Sequence, residues 1–269
     1  MTSNSTSAAS SLADQRRRQL EHDGAREEHH RERQALLAPM RTREELKAIA
    51  EDASERFADA TSDEVLTWVA KEFGYRTAVA CSMADAVLPD VVAQHLPWVD
   101  TLFLDTGYHF AETIGTRDAV ESTMQLSIVD VTPQRTVAEQ DAEFGKDLFA
   151  RDPGLCCQMR KVEPLAETLE GYEVWITGVR REDSWLRAST PLVDWDEKNG
   201  MVKVNPLAMW TFDEVITYAS EHDVIINPLI NDGYPSIGCA PCTQRVAPGD
   251  DPRAGRWAGL DKTECGLHT

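Results

Sequence analysis

Between Arg76 and Gly178 the chain repeats one pattern: a short apolar run, then an amphipathic stretch long enough for a helix. The apolar runs are RTAVAC (76–81), TLFLD (101–105), QLSIVDV (125–131) and EVWITG (173–178). Helical periodicity falls near 85–95, between the second and third runs, and over about 136–170. Runs with so few polar positions suit strands buried on both faces, and intervening helices supply the crossovers that parallel neighbours require. The pattern predicts an α/β fold with a doubly wound parallel sheet. Two helices precede it, LKAIAEDASERF and VLTWVAKEF, the second opened by Thr61 with Glu64 in capping-box spacing. PLVDW and MVKVNPL flank Asn199-Gly200 as a hairpin, and a further helix opens at Thr211 with Glu214. Beyond Asn227 periodicity stops. The predicted organisation is an N-terminal tail over 1–42, disordered or partly helical, an α/β domain over 43–235, and a loop-rich C-terminal segment over 236–269.

Charge excludes one class of partner. The chain has 269 residues, with 27 Lys and Arg against 46 Asp and Glu, a formal charge of −19. Binding along a nucleic-acid backbone needs a basic face, so no nucleic-acid partner is expected. Residues 1–40 hold six acids and six bases, so the whole surplus lies downstream. No run approaches the roughly 18–20 apolar residues of a membrane span, and the polar start carries no apolar signal core. A cytoplasmic protein with no membrane partner is expected.

In a parallel sheet of this kind, ligands bind beyond the carboxyl ends of the strands where strand order reverses. Three loops occupy such ends: Cys81-Ser82-Met83-Ala84-Asp85, Leu104-Asp105-Thr106-Gly107-Tyr108, and Thr177-Gly178-Val179-Arg180-Arg181. Gly107 and Gly178 would let the backbone approach a ligand or take positive φ.

Four of the six cysteines form two pairs, Cys156-Cys157 and Cys239-Ala-Pro-Cys242. Adjacent cysteines meet disulfide geometry only with strain. Structural zinc usually uses two C-x-x-C knuckles, from which a tandem pair departs. An iron–sulfur cluster gives each thiolate its own iron, so neighbours can serve. Spacing favours the cluster over zinc, and four buried unliganded thiols are the third reading. Cys265 stands in the polar terminal stretch Glu264-Cys265-Gly266-Leu267-His268, where a mobile chain could deliver a nucleophile. Cys81, ending an apolar run, reads as a packed residue. The scarce bases adjoin these features: Arg160 and Lys161 follow the tandem pair, Arg180, Arg181 and Arg187 follow the fourth strand, and Arg253 and Arg256 lie between the C-x-x-C and Cys265. As a set they suit an oxyanion such as phosphate or sulfate.

Leu104-Asp105-Thr106-Gly107, Cys156-Cys157 with Arg160-Lys161-Val162, Thr177-Gly178-Val179-Arg180-Arg181, Cys239-Ala-Pro-Cys242, Gly255-Arg256-Trp257 and the Glu264–His268 ending together resemble the adenylylsulfate and phosphoadenylylsulfate reductases of assimilatory sulfate reduction. The resemblance spans about residues 60–269 and implies an adenine-nucleotide α-hydrolase-like fold. It also implies a 4Fe-4S cluster on Cys156, Cys157, Cys239 and Cys242, and a nucleophilic Cys265. Lys161, Arg187, Arg253, Arg256, His268, Ser82, Leu104 and Gly178 would bind substrate. The implied activity is reduction of adenosine 5′-phosphosulfate to sulfite and AMP through an S-sulfocysteine on Cys265, with thioredoxin or a glutaredoxin-like protein as reductant. A homo-oligomer is compatible with it. Two places depart from the family pattern: Cys81, Met83 and Ala84 stand where Ser and small or polar residues are common, and Pro153 lies near a usual His. Competing readings are a phosphoadenylylsulfate reductase or dual-specificity enzyme, an ATP pyrophosphatase of the same superfamily, and a zinc-stapled module without catalysis.

Overall fold

The computed structural model describes residues 17, 19–31, 39–260, 262 and 264–267. Six strands form one sheet in the order β3-β2-β1-β4-β6-β5. They are β1 (Thr77–Ala80), β2 (Asp100–Leu104), β3 (Ser127–Val131), β4 (Val174–Thr177), β5 (Val193–Asp196) and β6 (Met201–Val204). Neighbours pair in parallel across the sheet except β5 with β6, which are antiparallel. The Asn199-Gly200 hairpin is therefore part of the sheet: β6 pairs with β4 at the opposite side from β1, and β5 closes that edge. The expected doubly wound parallel sheet is formed and carries an antiparallel edge strand, a common addition to such sheets.

Adjacent residues of a strand point to opposite faces, and the two cores follow that period. Val79 and Ile176 pack on one face with Leu46, Ala50 and Ala53 of α1 (Arg43–Arg56), Val65 and Val69 of α2 (Ser62–Glu72), and Val215 of α9 (Phe212–Glu221). Ala78 and Trp175, one position earlier on each strand, face Leu165 and Leu169 of α8 (Glu163–Leu169). The capping boxes expected at Thr61 and Thr211 are formed, and Thr42 and Thr136 make two more. Each satisfies backbone N–H groups that the first helical turn leaves without partners.

Residues 19–31 are helical and lie against the body: His22 meets the Met124 carbonyl at 2.8 Å, and Arg26 pairs with Glu121 at 3.0 Å. The helical stretch expected over 136–170 is broken. It comprises α5 (Val137–Phe144), α6 (Leu148–Arg151), α7 (Pro153–Cys157), a π-helical turn (Gln158–Val162) and α8. Gly145, at φ +80°, ends α5, and Asp152 caps α7 through the Leu155 N–H at 2.8 Å. A π turn inserts an extra residue and re-aims the side chains that follow. Here it carries Arg160 and Lys161.

Among the described residues, no helix is long and apolar enough to cross a membrane.

Candidate active site

The sheet order reverses at β1, which has β2 on one side and β4 on the other. A pocket of about 580 Å³ opens at the carboxyl ends of those strands. Ser82, Leu104 and Gly178, one from each expected loop, line it together with Lys161, Arg187, Arg253, Arg256 and Cys265. Of the anticipated substrate contacts, only His268 lies outside the described residues. Gly107 has φ +72°, and a Cβ there would stand 2.9 Å from Val137 Cγ2, so the loop after β2 requires glycine. Gly178 has no positive φ, and its added Cβ would meet Leu88 at an ordinary 3.5 Å.

The four paired cysteines face a second, smaller cavity, which shares Lys161, Arg256 and Trp257 with the first as a common wall. Two loops converge there. The C-x-x-C turn is clipped to the β2 loop by the Ala240 N–H donating to the Tyr108 carbonyl at 2.7 Å, and by Thr106 Oγ1 against Cys239 Sγ at 3.3 Å. The chain then doubles back, with Gln244 N–H donating to Gly255 O at 2.8 Å and Trp257 N–H to Cys242 O at 2.9 Å. An added Cβ at Gly255 would fall 2.1 Å from the Gln244 carbonyl, so only glycine permits this approach. That doubling-back delivers Arg256 to the shared wall. Arg256 is held by Ser236 Oγ and the Ile237 carbonyl, each at 3.2 Å.

Electrostatics separate the thiols. Burial, then the charges of Cys157, Cys239 and Cys242, push Cys156 up to about 12. Burial and the Cys239 and Cys157 charges push Cys242 up to about 11. Burial also opposes ionisation of Cys239, yet the Lys161 charge, the Thr106 hydrogen bond and Arg256 outweigh it and hold that thiol below its ordinary value. Burial would lower Lys161, but the Cys239, Cys265 and Cys157 charges carry it above its ordinary value. Cys81 is buried and pushed up to about 12, first by burial and then by Asp85, in keeping with a packed residue. Among the described residues no Asp, Glu or His lines the smaller cavity, so its cysteine sulfurs are the ligand donors it offers. Among the described residues, no three His, Cys, Asp or Glu side chains stand in the arrangement of a single-ion site.

Not every base in the expected anion-binding set faces the pocket as a free cation. Arg160 is buried and donates to the Thr106 and Arg135 carbonyls and, at 3.1 Å, to Gln140 Oε1, so it braces the β2 loop against α5. Arg180 donates to Asp183 Oδ1 from Nη2 at 2.8 Å and from Nε at 3.1 Å. Arg181 donates to the Thr190 carbonyl at 2.9 Å and is absent from the pocket lining. Arg180 nonetheless lines the pocket, whereas Arg160 and Arg181 are turned away from it by acceptors that adjacency to a motif does not reveal.

Sequence reasoning also overlooks His109, which lines the pocket with Nε2 2.8 Å from the Leu104 carbonyl. Burial holds this imidazole below its ordinary value, hence neutral. Its place five residues after Leu104 is the only sequence signal.

Cys265 sits on a chain segment expected to be mobile, but the described part is anchored at three points. Glu264 is held by Arg187 at 2.8 and 3.1 Å and by Arg253 at 3.2 Å. Lys198 Nζ donates to the Gly266 carbonyl at 2.8 Å, and Leu267, like Ala80 and Leu104, packs against the α8-side core. A polar terminal segment signals freedom only until distant residues supply partners for it.

Residues 67–245 match the phosphoadenosine phosphosulfate reductase domain. The chain belongs to the phosphoadenosine phosphosulfate reductase family. Within that family it is 59% identical over 228 residues to the adenosine 5′-phosphosulfate reductase of Streptomyces coelicolor, an alignment spanning 85% of this chain and 97% of the relative. It is 56% identical over 227 residues to the adenosine 5′-phosphosulfate reductase of Mycolicibacterium smegmatis, covering 84% and 96%. Its fold is similar to the crystal structure of phosphoadenylyl-sulfate reductase from Candida auris in a phosphate complex, with a TM-score of 0.60, 25% identity, and coverage of 73% of this chain and 96% of that one. The matched domain ends at Arg245, just past the C-x-x-C, and the alignments to the two bacterial relatives extend over nearly their whole length.

Proposed function

We propose that this protein is a thioredoxin-dependent adenosine 5′-phosphosulfate reductase of assimilatory sulfate reduction. The observation that carries this reading is the placement of Cys265 in one pocket with Lys161, Arg187, Arg253 and Arg256, at the carboxyl ends of β1 and β4. The names of the two bacterial relatives support it.

In the first step the Cys265 thiolate attacks the sulfur of adenosine 5′-phosphosulfate. The new S–S bond forms as the sulfur–oxygen bond to the phosphate breaks, and AMP leaves with that electron pair. The basic wall stabilises charge on the sulfonyl oxygens and the departing phosphate, as donors do in other transfers of charged groups. In the second step a thiolate of the reductant attacks Cys265 Sγ, and sulfite leaves with the bonding pair. The reductant's second thiol then resolves the mixed disulfide, and the dithiol is the species oxidised. Cys81, the one cysteine outside the quartet and Cys265, is held by burial and by Asp85 as a thiol pushed up to about 12 and so is poorly suited to resolve an intermediate, which supports a protein reductant such as thioredoxin or a glutaredoxin-like protein. Ser82, Leu104, Gly178 and His268 belong to the nucleotide's surroundings on this reading.

The donor set around the smaller cavity suits an iron–sulfur group: four crowded thiols, no competing carboxylate or imidazole among the described residues, and two basic residues on the shared wall. Cys156, Cys157, Cys239 and Cys242 would hold a 4Fe-4S cluster, whose iron takes up the thiolate charge and ties the C-x-x-C turn to the tandem pair. Residues 43–235 then form the nucleotide-binding body, 236–269 the cluster-binding and catalytic segment, and 1–42 an N-terminal extension. A cytoplasmic location fits the supply of reduced dithiols.

The test is anaerobic turnover with adenosine 5′-phosphosulfate and thioredoxin, alongside iron and sulfide analysis. Sulfite release with four irons and four sulfides per chain is expected. Stoichiometric zinc without sulfide would refute the cluster, and faster turnover of the 3′-phosphorylated nucleotide would refute the substrate assignment.

A further inference from the structure

Two of the pocket arginines, Arg187 and Arg253, are already bound to an anion, and that anion is the residue preceding the nucleophile. Both carboxylate oxygens of Glu264 engage Arg187, at 3.1 and 2.8 Å, and the second also accepts from Arg253 at 3.2 Å. All three side chains are largely withdrawn from water, with exposures of 13, 16 and 13% for Arg187, Arg253 and Glu264. Arg187 is further fixed by Asp183 at 3.0 Å. A planar carboxylate gripped by a guanidinium fork occupies the geometry a sulfonate or phosphate would take. The same residues line the pocket that holds Cys265.

We infer that Glu264 is a placeholder anion and a positioning residue: its carboxylate holds Arg187 and Arg253 in place before substrate arrives and yields them to the anionic group of the nucleotide. The inference rests on the proposed activity. Lys198 and Leu267 retain the segment on the other side of Cys265 during the exchange, so the nucleophile swings about a fixed point and stays over the pocket. Binding of substrate is then weakened by the competition, and attack is aided because the exchange and the placement of Cys265 are one movement. A merely structural ion pair predicts the opposite for binding: its loss would loosen the pocket and weaken every ligand.

The experiment compares the full-length holoprotein with Glu264→Gln, which keeps the shape and removes the charge. AMP, adenosine and inorganic sulfate are the probes, and equilibrium binding is the readout. Glu264→Gln is expected to bind AMP about tenfold more tightly, the scale of one charge-assisted contact released from competition, with adenosine affinity unchanged. In turnover, KM for the phosphosulfate falls while kcat also falls. Glu264→Ala repeats the gain for AMP, and retained adenosine affinity in either variant shows that the pocket is folded. AMP affinity that is unchanged or weaker in Glu264→Gln overturns the inference. Should the wild type bind neither nucleotide, the activity reading fails instead, and the placeholder then stands or falls on whether Glu264→Gln takes inorganic sulfate more tightly than the wild type.

Discussion

The sheet body and the segment after residue 235 are held together by different physics. The body has two apolar layers, one on each face of the sheet, in which Ile176, Trp175, Val79 and Leu102 are entirely buried. Among its described residues the segment has two buried large apolar side chains, Ile237 and Trp257. Its path is set instead by backbone clips to the β2 loop, by the Glu264 ion pairs, and by four thiols that crowd one cavity. The body is thus specified by area removed from water, which is non-directional and tolerant. The segment is specified by directional contacts, each of which fails singly. Chemistry is concentrated in the part that depends on few contacts, and the other part provides a rigid edge for it.

Substitutions that act on one region and spare the other can break this comparison. The largest effect is expected from Cys265→Ser, which should abolish sulfite release while iron content and thermal melting stay as in the wild type; residual turnover in a sulfite assay would remove Cys265 from the mechanism. Cys156→Ser should lose most of the iron and raise hydrogen exchange in 236–260, with exchange in β1 and β4 unchanged. Ile176→Ala should act in the opposite sense, costing about 2–5 kcal/mol of global stability in denaturant titration by opening a cavity against the α1 and α2 layer. Leu267→Ala should leave the melting temperature nearly unchanged and lower kcat severalfold, because Leu267 anchors the segment and contributes little to the body's core.

The smallest effect tests the body's helix starts. The Thr61 backbone N–H, then its hydroxyl, hold the exposed Glu64 carboxyl below its ordinary value of 4.5. A lowered carboxyl contributes stability that is fully present above the ordinary value and is lost as pH falls through the lower folded one. Glu64→Gln should therefore melt slightly below the wild type at pH 7, and the two should converge in acid below that folded value. A gap that persists in acid would show that the charge on Glu64 is not what the capping box uses.

Much of the body could be read from sequence because its signals are local. Apolar runs located β1 to β4 within a residue or two, and Thr-x-x-Glu spacing located two helix starts. The hairpin was visible at Asn199-Gly200, but its membership of the sheet was not, since pairing of β6 with β4 joins residues far apart in the chain. The break of the 136–170 helix into short pieces with a π turn also escaped periodicity, which averages over the few residues that interrupt it. At the site, residue types and their neighbours identified the cysteines and most of the bases. They misjudged Arg160 and Arg181, which donate to the Thr106 and Thr190 carbonyls and do not line the pocket.

The sequence by itself determined which segments would be strands and helices, the sign of the surface charge, and which side chains had the chemistry to bind an anion or a metal. These follow from local patterning and from the intrinsic properties of single residues. Tertiary structure decided that Cys265 stands with Lys161, Arg187, Arg253 and Arg256, that Arg256 and Lys161 form the wall between two cavities, and that Glu264 occupies two of the arginines. The meetings of Lys161 and Arg187 with the C-terminal segment join residues tens of positions apart, fixed by strand order and by the doubling-back at Gly255, and no local signal records them.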